Sequence, residues 1–315
     1  MKVRYHSLND HLTRRFGTRV YKVTLDSGCG CPNRDGTRGV TGCSYCNERS
    51  YSPANNPHLF SRPSPPLRVQ FEEGSAYVRR RHGAEKFIAY FQRGSNTYGP
   101  VERLRALYTE ALAYPEVVGC AISTRPDCCS PAICDMIAEL ARCTHCWIEL
   151  GLQSAHEATL ARIGRGHTVA EFVRAHELCA VRGIPVCAHV IVGLPGETRA
   201  HLIETARFLN TMGVWGVKIH NLHVLEHTAL ADDYRAGAYR PLALETYAHW
   251  TVDFLERLSP AIVIHRLNSH SPRALTVAPA WSVNKLAIFN AVEAEMERRD
   301  TWQGRCALKD ARRET

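Results

Sequence analysis

The stretch Cys31-Pro-Asn-Arg-Asp-Gly-Thr-Arg-Gly-Val-Thr-Gly-Cys43-Ser-Tyr-Cys46 places three cysteines on one glycine-rich segment. Cys43 and Cys46 stand at Cys-x2-Cys spacing. Three thiolates can hold three irons of a [4Fe-4S] cluster, and they leave the fourth iron open to a ligand that is not protein. An open iron is what a cluster needs to react with a bound cofactor, so the pattern indicates an enzyme that cleaves S-adenosylmethionine (SAM) to a radical.

A structural zinc site is the alternative that this spacing leaves open. Zinc usually takes four Cys or His ligands, and Cys29 provides a further thiol just before Cys31. On that interpretation the segment stabilises a protein without radical chemistry. The two hypotheses differ in the role of Cys29, which is a ligand to zinc but a bystander beside a cluster.

The composition is that of a globular protein. The 315 residues, 45% hydrophobic and 22% charged, suffice for one large domain or two ordinary ones. No apolar run approaches the ~18 residues that a membrane span needs, and the first residues lack the apolar core of a secretory signal. We therefore expect a cytoplasmic protein without a membrane partner. In such a chain the thirteen cysteines indicate reduced thiols and metal ligation rather than a disulfide framework.

The chain is basic, with a formal net charge of +8 and a pI of about 8.9. Such an excess attracts polyanions, RNA among them. The basic residues gather in three groups: Arg14, Arg15, Arg19 and Lys22; Arg79, Arg80 and Arg81; and Arg298, Arg299, Arg305, Lys309, Arg312 and Arg313. Each group is either a surface that contacts phosphates or an ordinary solvated face.

Short β-like runs alternate with amphipathic stretches of helical period. The predicted strands cover residues 20–25, 86–91, 117–123, 147–152, 185–192, 217–223 and 261–267. The predicted helices cover residues 101–113, 131–142, 169–182, 198–212, 242–258 and 283–299. Such alternation predicts an α/β fold with parallel strands and right-handed crossovers, and about six units favour a partial or full barrel. The cysteine segment follows the first strand, at the strand ends where barrel enzymes hold their sites.

The pattern changes near residue 225, where a polar connection, a helix, a β run and a final helix follow. We predict a core barrel with an N-terminal extension over residues 1–225. Residues 226–315 are predicted to form an α/β extension that packs on the barrel.

A second Cys-x2-Cys pair, Cys143 and Cys146, lies at a predicted helix–strand junction. It is either a second metal site or a pair of small packing thiols.

Five further motifs accompany the cysteine segment. They are Thr124-Arg-Pro-Asp127, Glu149-Leu-Gly-Leu-Gln-Ser154, Gly193-Leu-Pro-Gly196, Lys218-Ile-His220 and Asp300-Thr-Trp-Gln-Gly304. With them the chain resembles, over nearly its whole length, the YhcC/YtqA-type radical SAM proteins, relatives of the radical SAM domain of the Elongator catalytic subunit. The Cys-x11-Cys-x2-Cys spacing looks like the Elongator-type variant rather than the commoner Cys-x3-Cys-x2-Cys.

The resemblance implies a partial (β/α)6 TIM-type barrel, the radical SAM core, with a [4Fe-4S] cluster on the loop after strand 1. Cys31, Cys43 and Cys46 match the cluster ligands. The SAM contacts that it implies are Tyr45, Gln92, Asn96, Glu149, Gln153, Arg165, His189, Gly193 and Pro195. Tyr45 occupies the aromatic position where the adenine rests. Reduction of the cluster implies an electron donor such as flavodoxin or ferredoxin.

Some of these contacts depart from the patterns of related enzymes. Gln153 and Arg165 resemble a pair that contacts SAM in coproporphyrinogen-oxidase-type radical enzymes. His189 stands where those enzymes have an Asp that touches the ribose. The usual Gly-Gly-Glu strand, which receives the methionine amino group, is not visible, and Gln92 and Asn96 stand at about its place.

Several polar residues are candidates for the wall of a pocket. Glu149 lies in the apolar run 147–152, where a carboxylate is costly without a partner. It either points into the site or forms a structural pair with an arginine. The candidate substrate residues are Arg125, Asp127, Lys218, His220 and His223. Their alternatives are an Arg125–Asp127 pair, satisfied core histidines and a surface lysine.

The leading functional hypothesis is a radical SAM enzyme that modifies tRNA, with the C5 side chain of a wobble uridine as its target. It rests on the basic charge and on the resemblance to the Elongator domain. A second hypothesis is a radical SAM enzyme acting on a small metabolite or a partner protein, and salt-dependent RNA binding separates the two. The third is a zinc-stabilised RNA-binding or adaptor protein without catalysis.

Overall fold

The computed structural model describes residues 4–51 and 64–307. The strands are β1 (Val20–Leu25), β2 (Lys86–Phe91), β3 (Val117–Thr124), β4 (His145–Gln153), β5 (Val186–Val192), β6 (Gly216–Asn221), β7 (Val224–Leu225), β8 (Val263–Arg266) and β9 (Thr276–Ala278). The α-helices are α1 (Leu8–Phe16), α2 (Leu67–His82), α3 (Val101–Leu112), α4 (Pro131–Cys143), α5 (Glu157–Arg162), α6 (Val169–Ala180), α7 (Arg199–Met212), α8 (Ala229–Arg235), α9 (Leu244–Arg257) and α10 (Lys285–Arg298). Of the predicted basic groups, Lys309, Arg312 and Arg313 lie outside the described residues.

Seven of these strands form one parallel sheet in the order β1-β2-β3-β4-β5-β6-β8. The sheet curls into a half-barrel, which confirms the predicted partial TIM-type barrel. β8 comes from the predicted C-terminal extension and pairs with β6, with Gly216 opposite Val263 and Lys218 opposite Arg266. The extension therefore supplies a strand to the barrel wall, and the boundary at residue 225 stays a prediction.

Both faces of the sheet are buried, which explains the nearly continuous apolar runs. On β2, Phe87 and Phe91 belong to the core that packs under α3, together with Tyr108. The alternate residues Ile88 and Tyr90 pack inside the barrel. The period of two along each strand thus divides the side chains between the helical layer and the barrel interior.

Local sequence explains where several helices begin and end. Thr168 and Glu171 form a capping box at the start of α6. The Ser130 hydroxyl accepts a hydrogen bond from the Ile133 N–H at the start of α4. Gly213, at φ 64°, ends α7 in the left-handed conformation that glycine adopts without strain. These caps set the turns that return the chain to the sheet.

The two ends of the described chain close the N-terminal end of the barrel. Leu8 and Leu12 of α1 pack inside the barrel against the start of β1 and β8. The Gln303 side-chain amide donates to the Ser259 and Ile262 carbonyls at 2.6 and 2.8 Å, and its oxygen accepts from the His6 N–H at 2.9 Å. Through Gln303, the Asp300–Gly304 motif therefore fastens the C-terminal segment to the N-terminal segment and to residues 259–262.

The predicted strands and helices agree with the structure to within two residues at each boundary. α1, α2, α5 and α8 were not predicted. α5 and α8 have six and seven residues, too few for a periodic signal. Among the described residues, no helix has both the length and the apolar character that crossing a membrane requires.

Candidate active site

A large cavity opens at the carboxyl ends of the barrel strands. Its volume is about 920 Å³, towards the upper end of the ~300–1,000 Å³ range of ligand pockets. The ends of β2, β3, β4, β5, β6 and β8 all contribute to its wall. This is the edge where barrel enzymes assemble their sites.

The three predicted cluster ligands all line this cavity. Cys43 is buried, whereas Cys31 and Cys46 are partly exposed, and none of the three forms a disulfide. The Cys46 N–H donates to the Cys43 carbonyl at 2.9 Å, which makes a tight turn of the Cys-x2-Cys pair. The segment therefore presents all three thiols to the same space.

Asn33 fastens the cysteine segment to the barrel. Its side-chain amide donates to the Gly164 and Arg165 carbonyls at 2.8 and 3.4 Å, and it lies 3.7 Å from Sγ of Cys43. Gly166 has φ 70°, and a Cβ there would lie 2.5 Å from Oδ1 of Asn33. Glycine is thus required at position 166 for both backbone conformation and space.

Arg165 spans the distance from β4 to the cysteine segment. Its Nη1 lies 3.6 Å from Sγ of Cys43, and its Nη2 donates to the Gly151 carbonyl at 2.9 Å. Its Nε is buried and has no hydrogen-bond partner among the described residues. A Cβ at position 151 would lie 2.4 Å from Nη2, so Gly151 makes the room that Arg165 occupies.

Gln153 ends β4 in an unusual backbone conformation. Its φ is 74° although it is not glycine, and the β4–β5 register shifts between Gly151 and Gln153. A non-glycine residue held in the left-handed region costs about 1–3 kcal/mol. The shift turns the chain so that both Gln153 and Arg165 line the cavity.

The surroundings of Cys43 favour its thiolate. Burial raises the pKa of the thiol, but the guanidinium groups of Arg165 and Arg125 and a hydrogen bond from Tyr45 outweigh burial and bring the pKa below its ordinary value. The thiolate is the form that ligates metal. The donor set therefore fits an iron–sulfur cluster, which soft thiolate ligands select.

The described residues do not form a ready binding site for a single zinc ion. Within residues 4–51 and 64–307, no three His, Cys, Asp or Glu side chains surround a point where one metal ion fits. Cys29 lines the cavity, with its Sγ 3.7 Å from Nη1 of Arg103. A tetrahedral site that includes Cys29 is thus not preformed.

The structure separates the predicted SAM contacts into two sets. The residues that line the cavity are Tyr45, Gln92, Gln153, Arg165 and His189. The residues that lie behind its wall are Asn96, Glu149, Gly193 and Pro195.

Asn96 and the turn after β5 serve the fold. The Asn96 amide donates to the Phe91 and Ser123 carbonyls at 3.0 and 2.7 Å, and its oxygen accepts from the Ser27 hydroxyl at 2.6 Å. Gly193, at φ 91°, accepts a hydrogen bond from the Tyr239 hydroxyl through its carbonyl at 2.9 Å. Their roles as SAM contacts stay predictions, and the placement does not favour them.

Glu149 is fully buried inside the barrel, beneath the cavity. Its Oε1 accepts hydrogen bonds from Nζ of Lys22 at 2.6 Å and Nε1 of Trp147 at 3.1 Å. Its Oε2 accepts from Nζ of Lys218 at 2.7 Å and from Nε2 of His189 at 2.9 Å. The structural partners of the carboxylate are therefore lysines and a histidine, not the arginine that the sequence suggested.

The charges of this cluster explain its protonation. Burial raises the pKa of Glu149, but Lys218 and Lys22 outweigh burial and hold it well below its ordinary value. Burial lowers the pKa of Lys218 to about 7, and attraction to Glu149 offsets this only in part. Burial and Lys218 lower the pKa of His189 to about 3, so the neutral ring donates its Nε2–H to Glu149.

The candidate substrate residues mostly reach the cavity. Arg125 lines it and also forms a bidentate pair with Asp127, at 2.8 and 3.0 Å, so both alternatives from the sequence hold for Arg125. Lys218 and His220 on β6 line the cavity, and so does His223 beyond the strand. Asp127 lies behind the wall.

Sequence reasoning missed three residues that shape the site. Asn33 carried no signal beyond its place between the cysteines. Lys22 interrupts an apolar strand, and Tyr90 is the last residue but one of β2. Their contacts with the Lys218–Glu149 pair depend on the barrel. Only the alternation of polar residues within apolar strands could have found Lys22.

The second Cys-x2-Cys pair does not face the cavity. Cys143 is exposed at the end of α4, and Cys146 is buried on β4 opposite Cys120 of β3. The two thiols thus belong to different environments.

Comparison with known proteins decides the family. Residues 27–209 match the model of the Radical SAM superfamily, which is more than half of the chain. This chain belongs to the radical SAM superfamily. Residues 214–298 match the radical SAM C-terminal domain. The chain is accordingly a radical SAM enzyme whose substrate the family leaves open.

Curated relatives agree with the resemblance of the motifs. YtqA of Bacillus subtilis (strain 168) is 39% identical over 302 residues, 96% of this chain and 92% of the relative. YhcC of Escherichia coli (strain K12) is 37% identical over 275 residues, 87% of this chain and 86% of the relative. A tRNA uridine(34) acetyltransferase of Methanocaldococcus jannaschii is 30% identical over 131 residues, 39% of this chain and 23% of that protein.

The fold recurs in a solved radical SAM structure. The archaeal Methanocaldococcus infernus Elp3 with an N-terminal deletion superposes with a TM-score of 0.68 at 18% identity, over 91% of this chain and 65% of that one. At this identity the likeness shows the fold alone.

Proposed function

We propose that this radical SAM enzyme holds a [4Fe-4S] cluster on Cys31, Cys43 and Cys46 and modifies tRNA, at the C5 side chain of a wobble uridine. The observation that carries the proposal is the opening of the three thiols into one cavity whose wall also carries Arg165 and Gln153. When bound, the cluster and SAM supply a 5′-deoxyadenosyl radical that abstracts hydrogen from substrate.

The residues of the chain have distinct tasks in this proposal. Arg165 stabilises the Cys43 thiolate, and because its side chain lines the cavity its guanidinium would also attract the carboxylate of SAM. Gln153 and Tyr45 hold the rest of SAM against the wall. The barrel around them excludes water from the reactive space.

The RNA part of the proposal rests on charge and on a relative. The net charge is +8, and the cavity lining contains many more cationic side chains than carboxylates. A relative that matches part of this chain carries the name tRNA uridine(34) acetyltransferase. A cavity lined mainly by cationic side chains attracts a polyanionic substrate.

Anaerobic reconstitution tests the cofactor part. We would count metal, reduce the protein with dithionite, add SAM and measure 5′-deoxyadenosine and methionine. About four irons per chain and release of 5′-deoxyadenosine are expected, with both lost in Cys43→Ala and both kept in Cys143→Ala. Zinc without iron, together with no SAM cleavage, would overturn the proposal in favour of a zinc-stabilised protein.

Binding and product analysis test the RNA part. tRNA affinity should fall steeply with salt, because each phosphate contact releases counterions. Nucleoside mass spectrometry of tRNA after turnover should show a new uridine mass that depends on SAM. An active SAM-cleaving enzyme with no salt-dependent tRNA binding would point instead to a small metabolite or a partner protein.

A further inference from the structure

One side of the cavity carries cationic side chains that none of the proposed SAM contacts uses. Arg266 ends β8, His270 and Ser271 follow it, and Lys285 begins α10. All four line the cavity. They come from a single stretch of chain, residues 266–285, whereas the cluster ligands and the predicted SAM contacts lie between residues 31 and 195. The cavity thus has a second set of polar groups of separate origin.

Arg266 is a half-buried arginine without a carboxylate of its own. In the described part of the chain its hydrogen bonds go to His220, with Nη2 2.7 Å from Nδ1, and its Nε has no partner. Glu149, whose charge also acts on Arg266, is already held by Lys22 and Lys218 at 2.6 and 2.7 Å. A cation in this position is costly until an anion reaches it.

Ser271 provides a second donor without a partner. Its side chain is 1% exposed, and its hydroxyl makes no hydrogen bond to any described residue. A buried hydroxyl left unmatched costs free energy. Ser271 also lines the cavity, so a group bound there lies beside this unmatched hydroxyl.

Lys285 adds a second positive charge on this side of the cavity, and His270 lies beside it as a neutral ring. Burial lowers the pKa of His270, and Lys285 and Arg266 lower it further. Burial also lowers the pKa of Lys285, followed by repulsion from Arg266 and Arg81. These side chains are therefore close enough to repel one another, and a bound anion would relieve the repulsion.

We propose that Arg266, Ser271 and Lys285 form a subsite for a phosphate group of the substrate. A planar guanidinium, an ammonium and a hydroxyl donate more hydrogen bonds than one carboxylate accepts, and they match the several oxygens of a phosphate. The source is a phosphodiester of RNA if the proposed function holds, and otherwise the phosphate monoester of a smaller substrate. The subsite itself does not depend on the cluster.

Thermal unfolding of the anaerobically reconstituted protein, without SAM or reductant, tests the subsite. The probes are inorganic phosphate, 5′-UMP and the dinucleoside monophosphate UpU, each against chloride at equal ionic strength. A ligand of the folded state raises the Tm with its concentration, which gives an apparent Kd. UpU binding identifies a phosphodiester, and binding of 5′-UMP without UpU identifies a monoester.

Matched variants decide the location. Arg266→Met should weaken binding of the recognised probe about tenfold or more, and Ser271→Ala should weaken it about threefold. Arg298→Gln, which removes a 67% exposed arginine of α10, should bind as the wild type does. Should Arg266→Met not fold, Ser271→Ala still reports on the same subsite.

Three results would overturn the subsite. The first is wild-type affinity in both Arg266→Met and Ser271→Ala, and the second is no binding of any probe to the wild type. The third is loss of binding in Arg165→Met alone, which would place the phosphate among the proposed SAM contacts. Because no readout needs SAM cleavage, a protein that releases no 5′-deoxyadenosine still gives a clear answer.

Discussion

Lys218 and Glu149 form a buried ion pair inside the barrel, with Nζ 2.7 Å from Oε2. The same carboxylate receives Lys22 on its other oxygen at 2.6 Å. One anion therefore separates two cations that would otherwise face each other beneath the cavity. Because Lys218 and His189 touch Glu149 and also line the cavity, the shape of the cavity floor depends on this carboxylate.

Neutralising Glu149 should destabilise the protein. In Glu149→Gln, Lys22 and Lys218 would lose their shared counter-ion, and breaking a buried ion pair costs about 3–5 kcal/mol. Urea denaturation followed by circular dichroism measures the free energy of unfolding. The matched control is Glu139→Gln, which breaks a pair with Arg105 at 2.5 Å whose side chains are 46% and 37% exposed. There the loss should be about 0–1 kcal/mol, and equal losses in both variants would contradict the argument.

Lys218 should make stability rise with pH above neutrality. Its pKa is about 7 in the folded protein against 10.5 when unperturbed, so between these values the unfolded chain binds more protons. The free energy of unfolding then rises with pH, by at most about 1.4 kcal/mol per pH unit. Below pH 7 Lys218 is protonated in both states, so the whole cost of burying its charge is present there. Groups that face it are Glu149 on β4, Lys22 on β1, Tyr90 on β2, His189 on β5 and Arg266 on β8.

The effect of Lys218 is measured by comparing the free energies of unfolding of the wild type and of Lys218→Met. The free energy of unfolding of the wild type minus that of Lys218→Met should increase from pH 7 to pH 9, because other titrating groups cancel. A difference that stays constant over this range would show that Lys218 is fully protonated in the fold.

The local part of the site was predictable from sequence, and the part made by the barrel was not. The three cysteines share one segment, so their spacing alone indicates a common ligand. Lys22 and Glu149 are 127 residues apart, and only the strand order brings them together. Arg165 could be identified only through the family resemblance. The residues around it in sequence do not show that the absence of a side chain at Gly151 leaves room for its guanidinium.

Some predicted SAM contacts do not line the cavity, because their side chains are used inside the fold. Asn96 belongs to a polar stretch after β2, which suggested a ligand-binding loop. Its amide instead satisfies backbone carbonyls of β2 and β3, a demand that a sequence does not display because it arises from strand packing. Glu149 stands in an apolar run, which indicates that its carboxylate needs a partner, but its partners are Lys22, Lys218 and His189 rather than the arginine that the sequence suggested.

Cys29 should be dispensable for the cluster. Its Sγ lies beside Arg103, and three thiols suffice when the fourth iron stays open. After reconstitution, Cys29→Ser should retain about four irons per chain, whereas Cys43→Ser should lose nearly all. Iron and zinc are measured together by mass spectrometry. Equal loss of metal in both variants would instead make Cys29 a ligand.

Asn33 should control how firmly the cysteine segment is held. Asn33→Ala removes buried hydrogen bonds to the Gly164 and Arg165 carbonyls, worth about 1–3 kcal/mol when acceptors are left unsatisfied. We expect a lower free energy of unfolding and a lower iron content after reconstitution. The control is Asn210→Ala, whose amide donates at 2.7 Å to the Arg257 carbonyl and does not line the cavity. If both variants kept full iron content, the anchoring role of Asn33 would be excluded.

Arg298 and Arg299 are neighbours in sequence with different roles in the fold. Arg299 is 14% exposed and donates to Asp253 at 2.9 Å and Glu295 at 2.6 Å, whereas Arg298 is 67% exposed. Arg299→Ala should therefore lower the free energy of unfolding by about 1.5–3 kcal/mol. Arg298→Ala should change it far less, because the Arg298–Glu295 pair is exposed to solvent on the arginine side.

The same pair tests where RNA binds. Arg299 is held in ion pairs with Asp253 and Glu295. Arg298 also pairs with Glu295, at 2.8 and 2.9 Å, but it is 67% exposed, so it is the member of the pair that a phosphate can reach. If α10 contacts tRNA, Arg298→Ala should reduce the slope of log affinity against log salt by about one. If the slope of log affinity against log salt did not change, α10 would not belong to the RNA interface. The cationic lining of the cavity would then be the surface that attracts RNA.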